Sequence, residues 1–325
     1  MARGPKLVYV ASSTNQRVAS YRMASDTVKL WERSGFRAAL AHVRDVPGDA
    51  DAYVFCKHIP SERPRPDAMV ALHMHDLWDG EQDTLDATLA QLSNSHIDVV
   101  VPCSRPYEDR LAELNLAPRV AWCPESPVPR RPPPARHPPQ EGPFRVGFHG
   151  TGSTFRFLSG NPARGLERVA KKLPVELVVL SNFPRQVTEQ ALKDTLRLRR
   201  VRVRYVPWTA EGHMAEMCSW DVAVLPASHG SDYALIKSCN RLREAAQHGV
   251  PVVAQRGNPD MEWFSDGGKN CPLAADADEW YKCVRRMLRY RGTRNSFSSR
   301  TGRRLMAVYG DKPVMERWKA VFDLL

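Results

Sequence analysis

Residues 221–254 constrain the fold more than any other stretch of this chain. They read DVAVLPASHGSDYALIKSCNRLREAAQHGVPVVA. The pattern predicts a buried strand at 221–225, a polar loop, a helix at 235–248 and a second buried strand at 250–254. Gly249 ends the predicted helix and Pro251 opens the strand after it. A strand, a helix and a strand in this order are typical of a parallel α/β sheet.

The predicted helix has one polar side and one packed side. Four residues at helical spacing share the polar side: Lys237, Asn240, Arg241 and Glu244. The packed side holds Cys239, Leu242, Ala246 and Gly249. A solvated face with an internal ion pair is one interpretation. The other is a ligand-binding face, because open α/β sheets bind ligands beyond the carboxyl ends of their strands, where cations can hold a diphosphate.

Apolar segments with strand character alternate with helical segments along the whole chain. In the first half the predicted strands are 6–11, 36–43, 52–56, 69–72, 97–101 and 119–122, and in the second half 144–148, 175–180 and 201–208 join those named above. This alternation predicts an α/β fold with two Rossmann-like, doubly wound domains. No GxGxxG follows the first strand, so the sequence gives no support for an NAD-type site.

The domain boundary is predicted from a proline- and arginine-rich linker at 126–143, between an amino-terminal domain at 1–125 and a carboxy-terminal domain at 144–325. The last predicted helix places Met315, Trp318, Phe322 and Leu325 on one face. This helix packs onto a domain and could cross back to the first one.

Composition narrows the class of protein. The chain has 325 residues, enough for two domains, and no run approaches the ~20 apolar residues of a membrane span. The first residues lead directly into a strand, so we expect a cytoplasmic protein. Seven cysteines without a CxxC pair indicate reduced thiols and no zinc framework.

The chain is strongly basic, with 47 Lys and Arg against 36 Asp and Glu, a net charge of +11. This surplus favours a polyanionic partner such as DNA, a phosphorylated substrate or an anionic membrane, without choosing among them. Arg200, Arg202 and Arg204 alternate with apolar residues on one predicted strand. Either this is an edge strand protected by charge, the reading we favour, or it is a phosphate-binding surface.

Two further segments carry candidate chemistry. LHMHDLWDG places His73, His75, Asp76 and Asp79 beyond a predicted strand. A metal site there lacks an obvious third ligand, so His75 and Asp76 are instead candidate catalytic residues that contact a substrate hydroxyl, with a histidine-bearing loop and a capping aspartate as the alternative. After the strand at 144–148, Gly150, Thr151, Gly152 and Ser153 can bring backbone N–H groups to phosphate oxygens. The spacing does not match a Walker loop.

Taken together, the chain resembles the GT-B fold glycosyltransferases, and most of all the retaining enzymes of glycosyltransferase family 4. The segments that carry the resemblance are VGFHGTGST, VELVVLS, VRYVPW, DVAVLP, KSCNRLREAAQHGVPVVA and GNPDME. The resemblance implies two domains facing across a cleft and transfer of a sugar, as by a hexosyltransferase, without a bound metal or other cofactor. The implied donor is a nucleotide-sugar, a UDP-sugar or else a GDP-sugar.

The resemblance also assigns residues. Glu244 matches the second glutamate of the family signature, which is expected at the donor ribose, whereas Ile236 stands where the first glutamate is expected. His229, Asp232 or the backbone of their loop are candidates to replace that first glutamate. Lys237 and Arg241 are the candidates for the diphosphate, with Thr151 and Ser153 near the same phosphates.

The sequence leaves the acceptor open. One candidate class is a glycan, a lipid-linked sugar or a small molecule. The other is a hydroxymethylated base in DNA, a DNA modification that the net charge suits. A non-enzymatic reading also stands, in which the chain is an inactive nucleotide-sugar sensor or a basic nucleic-acid-binding protein.

Overall fold

The computed structural model describes residues 5–13, 19–56, 58–74, 92, 96–114, 118–125, 127, 142–183, 187–227 and 237–322. Most of the predicted linker at 126–143 and the loop at 228–236 lie outside these ranges.

The described strands form two parallel sheets of six strands each. The first sheet contains β1 (Lys6–Ala11), β2 (Arg37–His42), β3 (Ala52–Cys56), β4 (Met69–Met74), β5 (Val99–Pro102) and β6 (Arg119–Val120) in the order β2-β1-β3-β4-β5-β6. The second contains β7 (Phe144–Gly150), β8 (Val175–Ser181), β9 (Arg202–Pro207), β10 (Val222–Leu225), β11 (Val252–Gln255) and β12 (Leu273–Ala274) in the order β12-β11-β10-β7-β8-β9. The predicted α/β, doubly wound fold is confirmed.

Helices connect and cover these strands. Among the described residues, the first half contains the helices α1 (Ala19–Arg33) and α2 (Arg105–Ala112). Those of the second half are α3 (Gly152–Phe155), α4 (Asn161–Ala170), α5 (Glu189–Thr195), α6 (His213–Met217), α7 (Asn240–Gln247), α8 (Pro259–Ser265), α9 (Ala277–Arg289), α10 (Arg291–Tyr309) and α11 (Asp311–Phe322). A short 3-10 turn at Arg156–Leu158 follows α3. Among the described helices, none is long and apolar enough to cross a membrane.

The chain divides into two compact units. The first comprises Met1–Pro129, Leu235–Ser238 and Met306–Leu325, and the second comprises Arg130–Ala234 and Cys239–Leu305. Each unit contains one of the two sheets. The chain therefore leaves the second unit twice, once before α7 and once within α10.

The core of the first unit is completed by the last helix. Trp318 on α11 lies edge-on to Trp31 of α1, with ring centroids 5.2 Å apart, and is fully buried. Met315 and Phe322 are buried beside it, as the helical spacing predicts. Residues from opposite ends of the sequence thus share one hydrophobic core.

The core of the second unit depends on two close approaches to glycine backbone. A Cβ on Gly147, in the middle of β7, would lie 1.9 Å from the Trp220 indole ring. A Cβ on Gly165, in α4, would lie 2.5 Å from the Cβ of Trp280 in α9. Both tryptophans are buried, so each packs directly on the backbone that faces it.

Ion pairs protect the edge strand β9. Arg204 makes a bidentate pair with Glu216, with nitrogen–oxygen distances of 2.5 and 3.1 Å. Arg202 and Arg204 also approach the buried Glu176 at 3.2 and 3.3 Å. These arginines are paired with carboxylates on an edge strand, which supports the predicted charged edge over a phosphate-binding surface.

The cysteines are free thiols, and five of the seven are buried: Cys56, Cys103, Cys123, Cys239 and Cys271. Burial raises the pKa of Cys271 to about 12, so its thiol stays protonated and unreactive.

The Arg204–Glu216 pair predicts an acid-dependent stability. Burial alone would raise the pKa of Glu216, but hydrogen bonds and charge from Arg204 lower it below its usual value. Glu216 therefore stabilises the fold above the unfolded pKa of about 4.3, and this stabilisation is lost as the pH falls through the lower folded value. We expect Glu216→Gln to cost on the order of 1 kcal/mol near neutral pH, because the pair is partly screened, and almost nothing near pH 3. Chemical denaturation across this range measures the difference.

Glu211→Gln is the matched control, because Glu211 is exposed and pairs with no cation among the described residues. Its effect on the free energy of unfolding should not depend on pH. A pH-independent effect of Glu216→Gln would contradict the assignment.

Candidate functional site

The second sheet has a topological switch point between β7 and β10. The chain runs from β7 to β8 and β9 on one side of the sheet, and then returns to place β10 on the other side of β7. The crevice outside the carboxyl ends of two such strands is where open α/β sheets bind ligands. The segments that follow β7 and β10 are therefore the first place to look for a site.

The turn after β7 is compact and rich in donors. The N–H of Gly152 donates to Oδ1 of Asn182 at 3.2 Å, and the hydroxyls of Thr151 and Ser153 lie 2.8 Å apart. Both hydroxyls are exposed, and only one of them can donate to the other. The other hydroxyl hydrogen remains able to donate to an oxygen of a bound molecule.

Arg241 brings a cation to this turn. Its Nη2 donates to the carbonyl oxygen of Pro226, just after β10, at 2.7 Å. Its guanidinium lies 5.8 Å from the centroid of the Phe148 ring, and its Cδ lies 3.5 Å from where a Cβ on Gly150 would stand. The Arg241 side chain thus extends along the carboxyl ends of β10 and β7 and reaches the turn.

The helix that carries Arg241 begins later than the sequence predicts. Residues 237–239 are not helical, and α7 begins at Asn240 instead of at the predicted start, residue 235. The Ser238 hydroxyl donates to Oε1 of Glu125 at 2.7 Å, and the Cys239 N–H donates to Oδ2 of Asp260 at 2.6 Å. These tertiary hydrogen bonds hold the segment out of the helix.

The late start changes the predicted polar face. Lys237 precedes the helix, is half-buried and belongs to the first unit, so it does not share a helix face with Arg241 and Glu244. Asn240 is the first residue of the helix, and its Oδ1 accepts from Arg243 at 3.0 Å. The predicted packed side is correct, since Cys239, Leu242 and Ala246 are buried.

Glu244 lies between two histidines that the sequence analysis did not single out. Its Oε2 is 3.3 Å from Nε2 of His149, the residue before Gly150 in β7. Its Oε1 is 3.4 Å from Nε2 of His213, the first residue of α6. Both imidazoles are buried, whereas the Glu244 side chain is 33% exposed. The carboxylate therefore has a buried side that faces imidazoles and an open side that can accept from hydroxyls.

A third histidine, His248, follows the end of α7. Burial lowers its pKa, the negative charge of Glu244 opposes that shift, and His213 and His149 lower the pKa further. Glu244 thus opposes the pKa shift of His248, and the net lowering favours the neutral form of His248.

The predicted histidine site in the first unit is only partly described. His73 is fully buried, with Nδ1 2.7 Å from the Tyr9 hydroxyl and Nε2 3.1 Å from the Cys123 carbonyl oxygen. The carbonyl can only accept, so Nε2 carries the hydrogen and Nδ1 accepts from Tyr9. His73 is therefore a core residue and not a cleft residue.

Several predicted residues lie outside the described residues, namely His75, Asp76, Asp79, His229 and Asp232. Within the part of the chain that is described, no group of three or more His, Cys, Asp or Glu side chains could hold a metal ion.

The sequence analysis missed His149 and His213 because they are 64 positions apart and neither belongs to a recognisable motif. The available signal was a histidine inside the apolar segment VGFHG, at the point where β7 ends. What the site offers is a cation, a turn with exposed hydroxyl donors, and a carboxylate. These groups suit an anion such as a diphosphate and a neighbouring pair of hydroxyls.

No protein-family model matches the chain. No curated protein matches its sequence.

Solved structures do match the fold. The crystal structure of HepE from Anabaena in complex with UDP and glucose aligns with a TM-score of 0.70 at 11% identity, over 99% of this chain and 100% of that chain. A glycosyltransferase from Rickettsia africae aligns with a TM-score of 0.71 at 9% identity, over 98% of both chains. Sucrose-phosphate synthase from Thermosynechococcus elongatus aligns with a TM-score of 0.66 at 13% identity, over 99% of both chains. The chain therefore has the GT-B fold that these proteins share.

Proposed function

We propose that the protein is a glycosyltransferase that moves a sugar from a nucleotide-sugar to an acceptor hydroxyl. The observation that carries this proposal is the meeting of Arg241 with the turn at Gly150–Ser153 at the switch point of the second sheet. A cation and free donors at this place suit the diphosphate of an activated sugar. The shared fold supports the same conclusion, since HepE was crystallised with UDP and glucose.

The proposed donor is a UDP-sugar, with a GDP-sugar as the alternative. Arg241 and Lys237 would contact the diphosphate together with Thr151 and Ser153. Glu244 would accept from the ribose hydroxyls, and His229 or Asp232 would contact the donor sugar. The resemblance to glycosyltransferase family 4 supports transfer with retention and a transferred hexose.

The chemistry follows from the charge that develops as the sugar leaves. Breaking the anomeric bond puts negative charge on the departing nucleoside diphosphate and positive character on the sugar. Cations and donors already in place at the diphosphate stabilise that charge without reorganising. The positive charge of Arg241 and Lys237 would serve this purpose without a metal ion. His75 and Asp76 are the candidates to contact the acceptor hydroxyl.

Two acceptor classes fit the chain: a glycan, lipid-linked sugar or small molecule, and a hydroxymethylated base in DNA. One basic surface of the second unit favours the DNA class. Five cations on α9 and at the start of α10 pair with no carboxylate among the described residues, and all are at least partly exposed: Lys282, Arg285, Arg286, Arg289 and Arg291. Such a surface attracts a polyanion.

Nucleotide binding is the first test. We expect UDP, among UDP, GDP, ADP and TDP, to raise the melting temperature most in a thermal-shift assay. A ligand at a hundred times its dissociation constant adds about 2.7 kcal/mol to the free energy of unfolding. If no nucleoside diphosphate stabilises the protein, the donor site is wrong.

The diphosphate assignment predicts a loss of turnover. Replacing one preorganised donor at developing charge typically costs about a hundredfold in rate. We expect Lys237→Ala and Arg241→Ala each to lower the rate of transfer about a hundredfold. Because these cations would replace a metal ion, we also expect the activity of the unmodified protein to persist in EDTA. Transfer from a radiolabelled UDP-sugar measures both effects.

Arg241→Lys and Lys172→Ala are the controls. Arg241 also binds the Pro226 carbonyl, so Arg241→Lys keeps the charge while losing the forked geometry and should be intermediate. Lys172 is exposed and has no ion pair within the described ranges, so its replacement should leave the rate unchanged. Unaltered turnover in both alanine variants would contradict the assignment.

DNA binding separates the acceptor classes. If DNA is the acceptor, the dissociation constant for a duplex should rise steeply with salt, with a log–log slope of about 0.9 for each phosphate contact. Replacing Lys282, Arg286 and Arg289 by Gln should then lower that slope by about 3. Fluorescence anisotropy at several salt concentrations measures it, and a lack of salt-dependent binding leaves the glycan, lipid or small-molecule class.

The alternative function is an inactive nucleotide-sugar sensor or a basic nucleic-acid-binding protein. The observation behind it is Ile236 in place of the first glutamate of the family signature. Hydrolysis or transfer from any radiolabelled nucleotide-sugar would exclude it.

A further inference from the structure

The two imidazoles beside Glu244 are placed by different elements of the second unit. His149 is fixed by the pairing of β7 with its neighbours, and its ring lies 6.1 Å from the Trp220 ring. His213 begins α6, and its ring lies 5.4 Å from the Trp208 ring. Both rings are more than nine-tenths buried, so neither is free to swing into solvent.

The hydrogen-bond pattern of His213 fixes where its hydrogen lies. Its Nδ1 is 3.0 Å from the carbonyl oxygen of Thr209, which can only accept, so Nδ1 carries a hydrogen. Its Nε2 faces Oε1 of Glu244 at 3.4 Å. The backbone carbonyl thus fixes one ring nitrogen, and the other faces the carboxylate.

His149 completes the arrangement from the other side. Its Nε2 lies at ion-pair distance from Oε2 of Glu244, yet neither ring nitrogen has an aligned hydrogen-bond partner among the described residues. A buried imidazole without such a partner is costly unless it donates to a nearby acceptor. Oε2 of Glu244, 3.3 Å away, is the acceptor that His149 faces.

Each oxygen of the carboxylate thus has one imidazole on its buried side. A carboxylate can accept about four hydrogen bonds, and the Glu244 side chain is 33% exposed on the side away from the imidazoles. The carboxylate keeps one orientation only while both imidazoles hold it. Without them, a partly exposed glutamate samples several rotamers.

We infer that His149 and His213 are positioning residues, which hold the Glu244 carboxylate in one orientation to accept the ribose hydroxyls of the donor. This inference rests on the proposed function, in which Glu244 contacts the ribose. Neither histidine touches the donor. Both determine how strongly Glu244 binds it, and so they set the preference for a ribonucleotide over a nucleotide that lacks the hydroxyls.

The test compares two ligands that differ only at the ribose. Isothermal titration measures the dissociation constants of UDP and of 2′,3′-dideoxyuridine diphosphate for the unmodified protein, His149→Leu and His213→Leu. We expect each variant to bind UDP about tenfold more weakly, the loss of one hydrogen bond to a charged group. For the dideoxy compound we expect the variants to match the unmodified protein, because the hydroxyls that Glu244 would accept from are absent.

Further variants guard against a structural effect. His213→Gln keeps a donor towards Glu244 and should restore most of the UDP affinity, whereas a packing defect would not be rescued in this way. His42→Gln, in the first unit, is the control and should leave both constants unchanged. An equal loss for UDP and the dideoxy compound, or no loss for UDP, would overturn the inference.

Glu244→Ala and Arg241→Ala in the same titrations distinguish a failure of the proposed donor site from a failure of the positioning role of the histidines. If both bind UDP as the unmodified protein does, the donor site itself is wrong. If Glu244→Ala shows a ribose-dependent loss while the histidine variants do not, the donor site stands and the positioning role of the histidines fails.

Discussion

The candidate site depends on the contact between the backbone of Gly147 and the indole of Trp220. No side chain fits between them, so β7 and the segment that follows α6 are held at one separation. Trp220 also donates from Nε1 to Oε1 of Glu216, at 3.2 Å, which ties the indole to the Arg204 ion pair on β9. One packing contact thus connects the edge strand to the strand that ends at His149.

Most of the fold was predictable because strands and helices leave local signals. The bounds of β1 and β3 match the predicted ranges 6–11 and 52–56, since each is a short apolar run between polar residues. Gly249 follows the C-cap residue of α7 with φ of 72°, as a glycine after a helix predicts. The apolar face of α11 was equally visible from the spacing of its large side chains.

The site was predictable only where its residues are close in sequence. Arg241, Glu244 and the turn after β7 could be named, because they follow strands in the expected order. The start of α7 could not, because it is decided by hydrogen bonds from Ser238 and Cys239 to distant carboxylates. The contacts of His149 and His213 with Glu244 arise from the register of the sheet and the position of α6, which no local spacing encodes.

The placement of α11 has a consequence for synthesis on the ribosome. The hydrophobic core around Trp31 includes Trp318, so the amino-terminal sheet lacks one of its covering layers until α11 has been translated. The residues of the second sheet all emerge before α11 does. The second unit can therefore close before the first, and the nascent amino-terminal sheet keeps apolar surface exposed until α11 has been made, where a chaperone would bind.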